Sequence, residues 1–299
     1  GVIYAGQQAF TLGYRSLDKG RLLRARASVR CPKCFSVSPR PSYRCLNSSC
    51  GIVHHDVTPG PLGMLHRRCE CGTAFPPTVG AAAKVLEPLC PVCGADLAEG
   101  SGARQTIQLP AFGGVGAGKT RLFYSLMTAA GRKLAQTGGA LEGLGVEARA
   151  AVNVAENAME RGLASEKTVY TARPEGIVVT LTDGVGNVVE VQFMDAAGES
   201  FQNWHSTEEL TYVNTAETMV FVLDPLAFPR LGAELNTRRA FTSNIIVASG
   251  DQEAAYASVA DRLRSENVDL NRRQLAVVLP KADIWAHLPS GASLDPSTS

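Results

Sequence analysis

Long hydrophobic runs are missing from this sequence, and neither sign of charge is in large excess. No apolar stretch approaches the roughly 18 residues of a membrane span, and no signal peptide with a basic start and an apolar centre is visible. The 299 residues carry a formal net charge of +1, unlike a dedicated nucleic-acid-binding protein. These absences predict a soluble, cytoplasmic protein. The sequence begins with Gly1 rather than Met, which leaves open an upstream segment and attachment to the cytoplasmic side of a membrane.

Aromatic residues make up only 6% of the chain, and cysteine is confined to one third of it. Because few aromatics alternate with the basic residues of this third, stacking on nucleic-acid bases is not indicated, and a protein partner is favoured over nucleic acid. The cysteines occur as close pairs, which indicates metal binding rather than a disulfide framework. They are Cys31, Cys34, Cys45, Cys50, Cys69, Cys71, Cys90 and Cys93.

Four cysteine pairs can supply two tetrahedral four-thiolate sites, the closed geometry of structural zinc. Taken in chain order, one site would use Cys31, Cys34, Cys45 and Cys50, and the other Cys69, Cys71, Cys90 and Cys93. We expect this consecutive pairing; a cross-braced arrangement that alternates the pairs is the alternative. His54 and His55 are expected beside the first site without replacing a ligand. This region is too short and too rich in proline and glycine to hold a core without metal, so zinc should be required for its folding.

A glycine-rich segment has the spacing G-x-x-x-x-G-K-[ST] of a phosphate-binding loop. An apolar run at residues 107–112 precedes it and residues 121–130 have helix-forming composition, which is the strand, loop and helix context that the motif requires. Backbone N–H groups at the helix start would surround phosphate oxygens, Lys119 would reach the terminal phosphates, and Thr120 would coordinate Mg²⁺. The predicted loop consists of Gly113, Gly114, Val115, Gly116, Ala117, Gly118, Lys119 and Thr120.

Strand and helix patterns alternate through the rest of the chain. They predict a three-layer α/β domain whose mostly parallel sheet has one antiparallel edge, preceded by a small cysteine-rich module. At the N-terminus, residues 17–27 are compatible with a short basic helix or a frayed lead-in. The predicted helices are residues 146–163 and 252–264, and the predicted strands are residues 177–181, 188–194, 218–223 and 275–279, the first two joined by a hairpin turn at 183–187.

Two further motifs follow predicted strands. Asp195 ends an apolar run, at the carboxyl end of a strand, where ligands bind in open α/β sheets. A carboxylate there can hold Mg²⁺, and the backbone N–H of Gly198 can meet a terminal phosphate. Lys281 and Asp283 follow the strand that ends at Leu279. A carboxylate at this place can accept two hydrogen bonds from guanine but not from adenine, while the lysine stem lies along the base.

In this order, the motifs GGVGAGKT, MDAAGE and LPKADIW resemble those of the TRAFAC class of P-loop GTPases. With cysteine-rich ribbons in front, the chain is similar to bacterial proteins described as double-GTPase type, which are associated with conflict and defence systems. The resemblance implies a Ras-like sheet with one antiparallel strand, and a switch that binds GTP or GDP with Mg²⁺ and hydrolyses GTP slowly.

The resemblance also implies a role for each motif. Residues 113–120 would bind the phosphates, Thr120 and Asp195 would hold Mg²⁺, and Lys281 with Asp283 would read the base. A switch threonine should complete the Mg²⁺ shell, supplied by Thr168 or Thr171, of which we prefer Thr171. The implied catalytic residues are Lys119, Thr171, Gly198 and Glu199.

Three departures from the family pattern carry expectations of their own. Pro280 stands where the family usually has Asn or Thr, so a tether to the phosphate loop should be missing. Glu199 takes the place of a water-orienting Gln, which leaves the hydrolytic step open. The chain ends about sixteen residues after Asp283, before the final strand and helix of a complete domain, so we expect a fragment.

The predicted organisation combines a metal-binding module with a nucleotide domain. The alternatives are a P-loop ATPase, in which Asp283 is an ordinary loop residue, and an adaptor whose nucleotide site is structural while the ribbons bind protein or nucleic acid. The predicted boundaries are a lead-in at residues 1–29, a double zinc ribbon at 30–98, a flexible linker at 99–105, a GTPase domain at 106–289 and a tail at 290–299.

Overall fold

The computed structural model describes residues 2–60, 63, 65–161, 176–195, 212–238 and 245–292. Within these ranges the helices are Val2–Arg24 (α1), Val79–Ala82 (α2), Lys119–Ala135 (α3), Gly145–Arg161 (α4), Tyr212–Thr215 (α5), Pro229–Thr237 (α6), Gln252–Ser265 (α7) and Ala282–Trp285 (α8). The strands are Val29–Arg30 (β1), Val37–Ser38 (β2), Ser42–Arg44 (β3), Val53–His54 (β4), Arg67–Arg68 (β5), Ala74–Phe75 (β6), Pro88–Leu89 (β7), Gln105–Phe112 (β8), Ala140–Gly143 (β9), Ile177–Thr182 (β10), Val188–Asp195 (β11), Thr218–Val222 (β12) and Gln274–Val278 (β13).

Six of the strands form one sheet, in the order β13-β12-β8-β11-β10-β9. β12 runs parallel to both β8 and β13, whereas β9 is antiparallel to β10. Phe221 lies opposite Phe112 in the β12–β8 register, and the two rings stack with their centroids 5.1 Å apart. The sheet confirms the predicted mixed α/β class.

The edge strand β9 was not predicted, because glycines at both of its ends suggested a break in regular structure. Gly139 precedes the strand, and a Cβ atom at this position would lie 2.2 Å from the carbonyl oxygen of Thr182. Only glycine allows the two backbones to come this close. The glycines therefore mark a close backbone approach rather than the end of a structured segment.

The first helix is longer than the sequence suggested. α1 begins at Val2 and ends at Arg24, whereas the sequence indicated a short helix at most, over residues 17–27. Among the described residues, no helix has both the length and the apolar character that crossing a bilayer requires.

The cysteine-rich region is built from short strands around a small core. β3 lies between β4 and β7 and is antiparallel to both, while β1 pairs with β2 and β5 pairs with β6. The Tyr43 side chain is fully buried, and its hydroxyl donates to the carbonyl oxygen of Val79 at 3.3 Å. Tyr43 packs in one cluster with Val57, Phe75 and Leu86.

The chain divides into two compact units. One comprises Gly1–Ile107, Lys133–Ala150 and Val178–Gln192, and the other comprises Gln108–Arg132, Ala151–Ile177 and Phe193–Ser299. The first unit contains the cysteine-rich region, and the second contains the glycine-rich loop.

Within the first unit, β11 is joined to the N-terminal region by buried polar groups. The Glu190 carboxylate accepts from Arg104 at 2.9 and 3.1 Å and from the Ser101 hydroxyl at 3.3 Å. The Gln192 amide donates to the carbonyl oxygen of Arg30 at 2.8 Å. Ser101 is buried and lies in the segment expected to be a flexible linker. This segment is held in place by specific contacts.

Candidate functional site

The glycine-rich loop connects β8 to α3, as its motif requires. Its first glycine, Gly113, has φ +146°, and a Cβ atom there would lie 2.3 Å from the carbonyl oxygen of Val222. Gly113 therefore cannot be replaced without moving β12. The loop ends where α3 begins at Lys119, so its last N–H groups belong to a helix N-terminus, which favours anions.

Lys119 is buried inside this loop. Its ammonium group donates to the carbonyl oxygens of Gly113 at 3.2 Å and Gly114 at 3.1 Å. The positive charge thus lies inside the loop, and the motif assigns this lysine to the terminal phosphates of a nucleotide.

Thr120 and Asp195, which are 75 residues apart in sequence, meet beside the loop. The Thr120 hydroxyl donates to a carboxylate oxygen of Asp195 at 2.6 Å. Burial raises the pKa of the Tyr212 phenol, and the nearby Asp195 carboxylate raises it further. A hydroxyl and a carboxylate side by side are the hard oxygen donors that Mg²⁺ prefers, so this pair fits a magnesium ion.

Lys281 lies at the other side of the loop. It adopts a left-handed backbone conformation with φ +62°. Its ammonium group donates to the Gly116 carbonyl oxygen at 3.2 Å, the Ile246 carbonyl oxygen at 2.6 Å and the Asp224 carboxylate at 2.5 Å. We expected Pro280 to leave the phosphate loop without a tether, but Lys281 supplies one.

Asp224 is a site residue that sequence reasoning missed. Its side chain is fully buried, and besides Lys281 it accepts from the backbone N–H groups of Leu226 at 3.1 Å and Ala248 at 2.8 Å. One signal was available, because Asp224 directly follows the predicted strand at residues 218–223, at the carboxyl edge where ligands bind.

Asp283 is exposed in the first turn of α8, where its carboxylate can meet a ligand from solvent. Trp285 stabilises this turn, because its indole N–H donates to the Pro280 carbonyl oxygen at 2.7 Å. Trp285 packs in one buried cluster with Leu226 and Leu231. The predicted residues Thr168, Thr171, Gly198 and Glu199 lie outside the described residues.

The eight cysteines form two clusters of four, and in each the sulfur atoms all lie within 4.8 Å of one another. Close pairs span 3.7 Å between Cys31 and Cys93 and 3.6 Å between Cys50 and Cys69. A tetrahedron with Zn–S bonds of about 2.3 Å has edges of about 3.8 Å. The spacing therefore fits one zinc ion in each cluster.

The consecutive pairing of the cysteines was wrong, and so was the alternating one. The outer pairs form one cluster and the inner pairs form the other, in the sets Cys31, Cys34, Cys90 and Cys93, and Cys45, Cys50, Cys69 and Cys71. The reason is a long-range strand pairing. β7 returns antiparallel to β3, with Leu89 opposite Ser42, so Cys90 is carried back to the start of the region.

The two histidines next to the inner cluster contact other groups. The His54 ring packs on Phe75 with centroids 4.3 Å apart, and His55 Nδ1 lies 3.0 Å from the Ser42 hydroxyl. Burial lowers the pKa of His54, and the positive charges of Arg67 and His55 lower it further. A neutral ring packed on an aromatic residue agrees with the expectation that cysteines alone supply the ligands.

A mixed α/β sheet with a lysine-bearing glycine loop at the end of β8 fits the fold of P-loop nucleoside triphosphatases. Within that class, the family described as Double-GTPase 2 matches residues 107–296, and the chain belongs to this family. A comparison with curated proteins finds no relative. The family membership implies nucleotide binding.

Proposed function

We propose that the protein is a TRAFAC-class switch that binds GTP with Mg²⁺ and hydrolyses it slowly. The observation that carries the proposal is the contact between Thr120 and Asp195 at 2.6 Å, beside a loop that holds a buried lysine. A phosphate loop, an oxygen-donor pair and a lysine within one unit are among the parts that phosphoryl transfer to water uses. Membership of the Double-GTPase 2 family supports the same activity.

Phosphate binding would use charges that are already in position. Backbone N–H groups of residues 113–120 at the start of α3 would bind the anion. The Lys119 ammonium, which now donates to two carbonyl oxygens of the loop, would supply a positive charge to the terminal phosphates. Thr120 and Asp195 would hold Mg²⁺, which neutralises the charge that develops on the phosphates. The residues that we propose for the switch, Thr171 and Gly198 with Glu199, would respond to the terminal phosphate.

Base selection is proposed to depend on Asp283. Its exposed carboxylate can accept from both the ring N–H and the exocyclic amino group of guanine, whereas adenine offers no matching pair of donors. Lys281 holds the adjacent turn against the phosphate loop through Gly116. The Lys281 side chain therefore links the proposed base-binding turn directly to the phosphate loop.

The two cysteine clusters are proposed to hold structural zinc and to present a protein-binding surface. Their four-thiolate composition leaves no ligand position for a reacting water, which argues against catalytic zinc. The resemblance to bacterial proteins of double-GTPase type is the ground on which we propose a role in a conflict or defence system, with a protein as the effector.

Calorimetric titration with GTP, GDP and ATP in the presence of Mg²⁺ tests this function. We expect Lys119→Ala to weaken GTP binding by at least about tenfold, because it removes charge-assisted hydrogen bonds. Asp283→Ala should weaken GTP binding by a similar factor while leaving ATP binding unchanged. The matched control is Asp261→Ala, which removes another exposed aspartate.

The same titration, together with an assay for phosphate release, separates the competing functions. Equal affinity for GTP and ATP, with no effect of Asp283→Ala, would identify an ATPase. Tight nucleotide binding without Mg²⁺-dependent release of phosphate would identify an adaptor and contradict the proposed hydrolysis.

A further inference from the structure

α1 contacts the cysteine-rich region through polar groups and, among the side chains whose burial is described, exposes several apolar ones. Thr11 and Asp18 are buried, and the Asp18 carboxylate accepts from the Val79 backbone N–H at 3.4 Å. In contrast, the exposed fraction is 53% for Phe10 and 63% for Leu17. A helix that serves only the fold of its own chain buries its apolar side chains, so this arrangement calls for an apolar partner.

The charged residues of α1 are concentrated towards its C-terminal end rather than on one side of the helix. Residues 1–14 contain no Asp, Glu, Lys or Arg, whereas residues 15–26 contain five basic residues and one acidic residue. The acidic residue is the buried Asp18. The basic residues are Arg15, Lys19, Arg21, Arg24 and Arg26. Over the residues whose burial is described, the first half of the helix therefore exposes only uncharged side chains, Phe10 and Leu12 among them, and the second half exposes positively charged ones.

The positive charges are available to a partner. The Arg15 side chain donates to the Pro59 carbonyl oxygen, which fixes it at the cysteine-rich region. Lys19, Arg21, Arg24 and Arg26 form no ion pair with any residue in the part of the chain that the structure describes. Arg21 interacts electrostatically with the buried Asp18, but the other three cations leave this end of the helix with an excess of positive charge. Such an excess beside exposed apolar residues matches an anionic surface with an apolar interior.

We propose that α1 is a membrane-docking helix whose partner is a bilayer of anionic phospholipids. Phe10 and Leu17 enter the boundary between headgroups and acyl chains, and Arg21 and Arg24 contact the lipid phosphates. Tyr14, whose ring centroid lies 6.1 Å from that of Phe10, occupies the interface that aromatic residues prefer. The helix docks on the bilayer without crossing it, in agreement with its composition, which is not apolar enough for a membrane span.

Two other kinds of partner match these features less well. A nucleic acid would use the basic half of α1 and leave Phe10 and Leu17 in water. A second copy of the chain would place either like charges together in a parallel pair or basic ends against apolar ends in an antiparallel pair. Of these partners, only an anionic lipid surface can both bury the apolar residues of the first half and pair with the basic residues of the second half.

Co-sedimentation of the full chain with vesicles, without nucleotide, tests the proposal independently of the proposed GTPase function. The vesicles are phosphatidylcholine alone or phosphatidylcholine mixed with phosphatidylglycerol. We expect binding to the mixed vesicles to be at least about tenfold stronger, since each basic residue near an anionic surface contributes about fivefold. High salt should reduce this difference.

Two double variants separate the contributions of the two halves. Phe10→Glu with Leu17→Glu should abolish vesicle binding, and Arg21→Glu with Arg24→Glu should remove the preference for anionic lipid. The control is Val146→Glu with Val185→Glu, which alters valines that are 77% and 84% exposed elsewhere in the chain. All these positions are exposed, so circular dichroism spectra and zinc content should be unchanged.

Several outcomes would overturn the proposal. One is wild-type protein that stays in the supernatant with both vesicle types; another is an equal loss of binding in the control. A dimer that dissociates in the Phe10 and Leu17 variant, with no vesicle binding, would assign α1 to a second copy of the chain. RNA binding that is lost only in the Arg21 and Arg24 variant would assign it to nucleic acid.

Discussion

Lys281 holds together groups that come from three distant parts of the sequence. Its ammonium group contacts Gly116, which is 165 residues away, and the fully buried carboxylate of Asp224. A buried carboxylate without a counter-charge is costly, so the pair is needed once Asp224 is inside. Through the same ammonium group, this ion pair is connected to the phosphate loop at Gly116.

Replacing Lys281 with Met should destabilise the protein by about 3–5 kcal/mol, because it leaves Asp224 buried without its partner. Urea unfolding measures the loss. Asp224→Asn in the Lys281→Met background should recover part of it, since the uncompensated charge is then removed. Lys133→Met, at an exposed position, is the control and should change stability by less than about 0.5 kcal/mol. Equal stability of the two single Met variants would contradict the role given to Lys281.

The difference between predicted and missed site residues has a physical reason. Lys119 and Thr120 could be proposed as site residues from the sequence because the phosphate-loop motif is a contiguous segment whose glycines and lysine have fixed spacing. Asp224 belongs to no such spacing, and its partners Ala248 and Lys281 are distant in sequence. A single aspartate after a strand becomes informative only when the fold shows what surrounds it.

At the scale of elements, β11 is bonded through its buried polar side chains to two other segments of the chain. Its buried polar residues Glu190 and Gln192 bond to the region that precedes β8 and to β1. Three residues after Gln192, the same strand ends at Asp195. The strand was predicted within one residue at its carboxyl end, but the bonding of its polar side chains was not, because the partners Ser101 and Arg104 were assigned to a linker.

Arg104→Met should therefore cost about 3–5 kcal/mol, since it leaves the Glu190 carboxylate buried without its guanidinium. The measurement is the thermal or urea unfolding of zinc-loaded protein. Arg44→Met is a matched control, because Arg44 also forms ion pairs, in its case with two carboxylates, but lies at the surface. We expect its transition to coincide with that of the wild type. If the Arg44 variant lost as much stability as the Arg104 variant, burial of the pair would not be the cause.

At the scale of the whole molecule, contacts between segments that are distant in sequence determine features that local sequence patterns cannot predict. Close cysteine spacing is a local property, so the pairs and their metal chemistry could be predicted from the sequence. Which pairs share an ion depends on how β7 returns beside β3, about 45 residues later in the chain. The same dependence on distant contacts explains why β9 was not predicted. The role of its glycines, which is to let the backbone of a neighbouring strand come close, is visible only in the folded chain.

Zinc content measured by atomic absorption on double cysteine variants tests the nested pairing directly. Cys34→Ser with Cys90→Ser removes two ligands from one cluster, so the protein should retain one zinc ion of two. Cys34→Ser with Cys50→Ser damages both clusters, and the zinc content should approach zero. Consecutive pairing predicts the opposite order, because Cys34 and Cys50 would then share an ion. Since four-thiolate zinc sites contribute directly to folding, the second variant should also lose the protease resistance of the cysteine-rich region, whereas the first keeps the inner cluster around Tyr43 and Phe75.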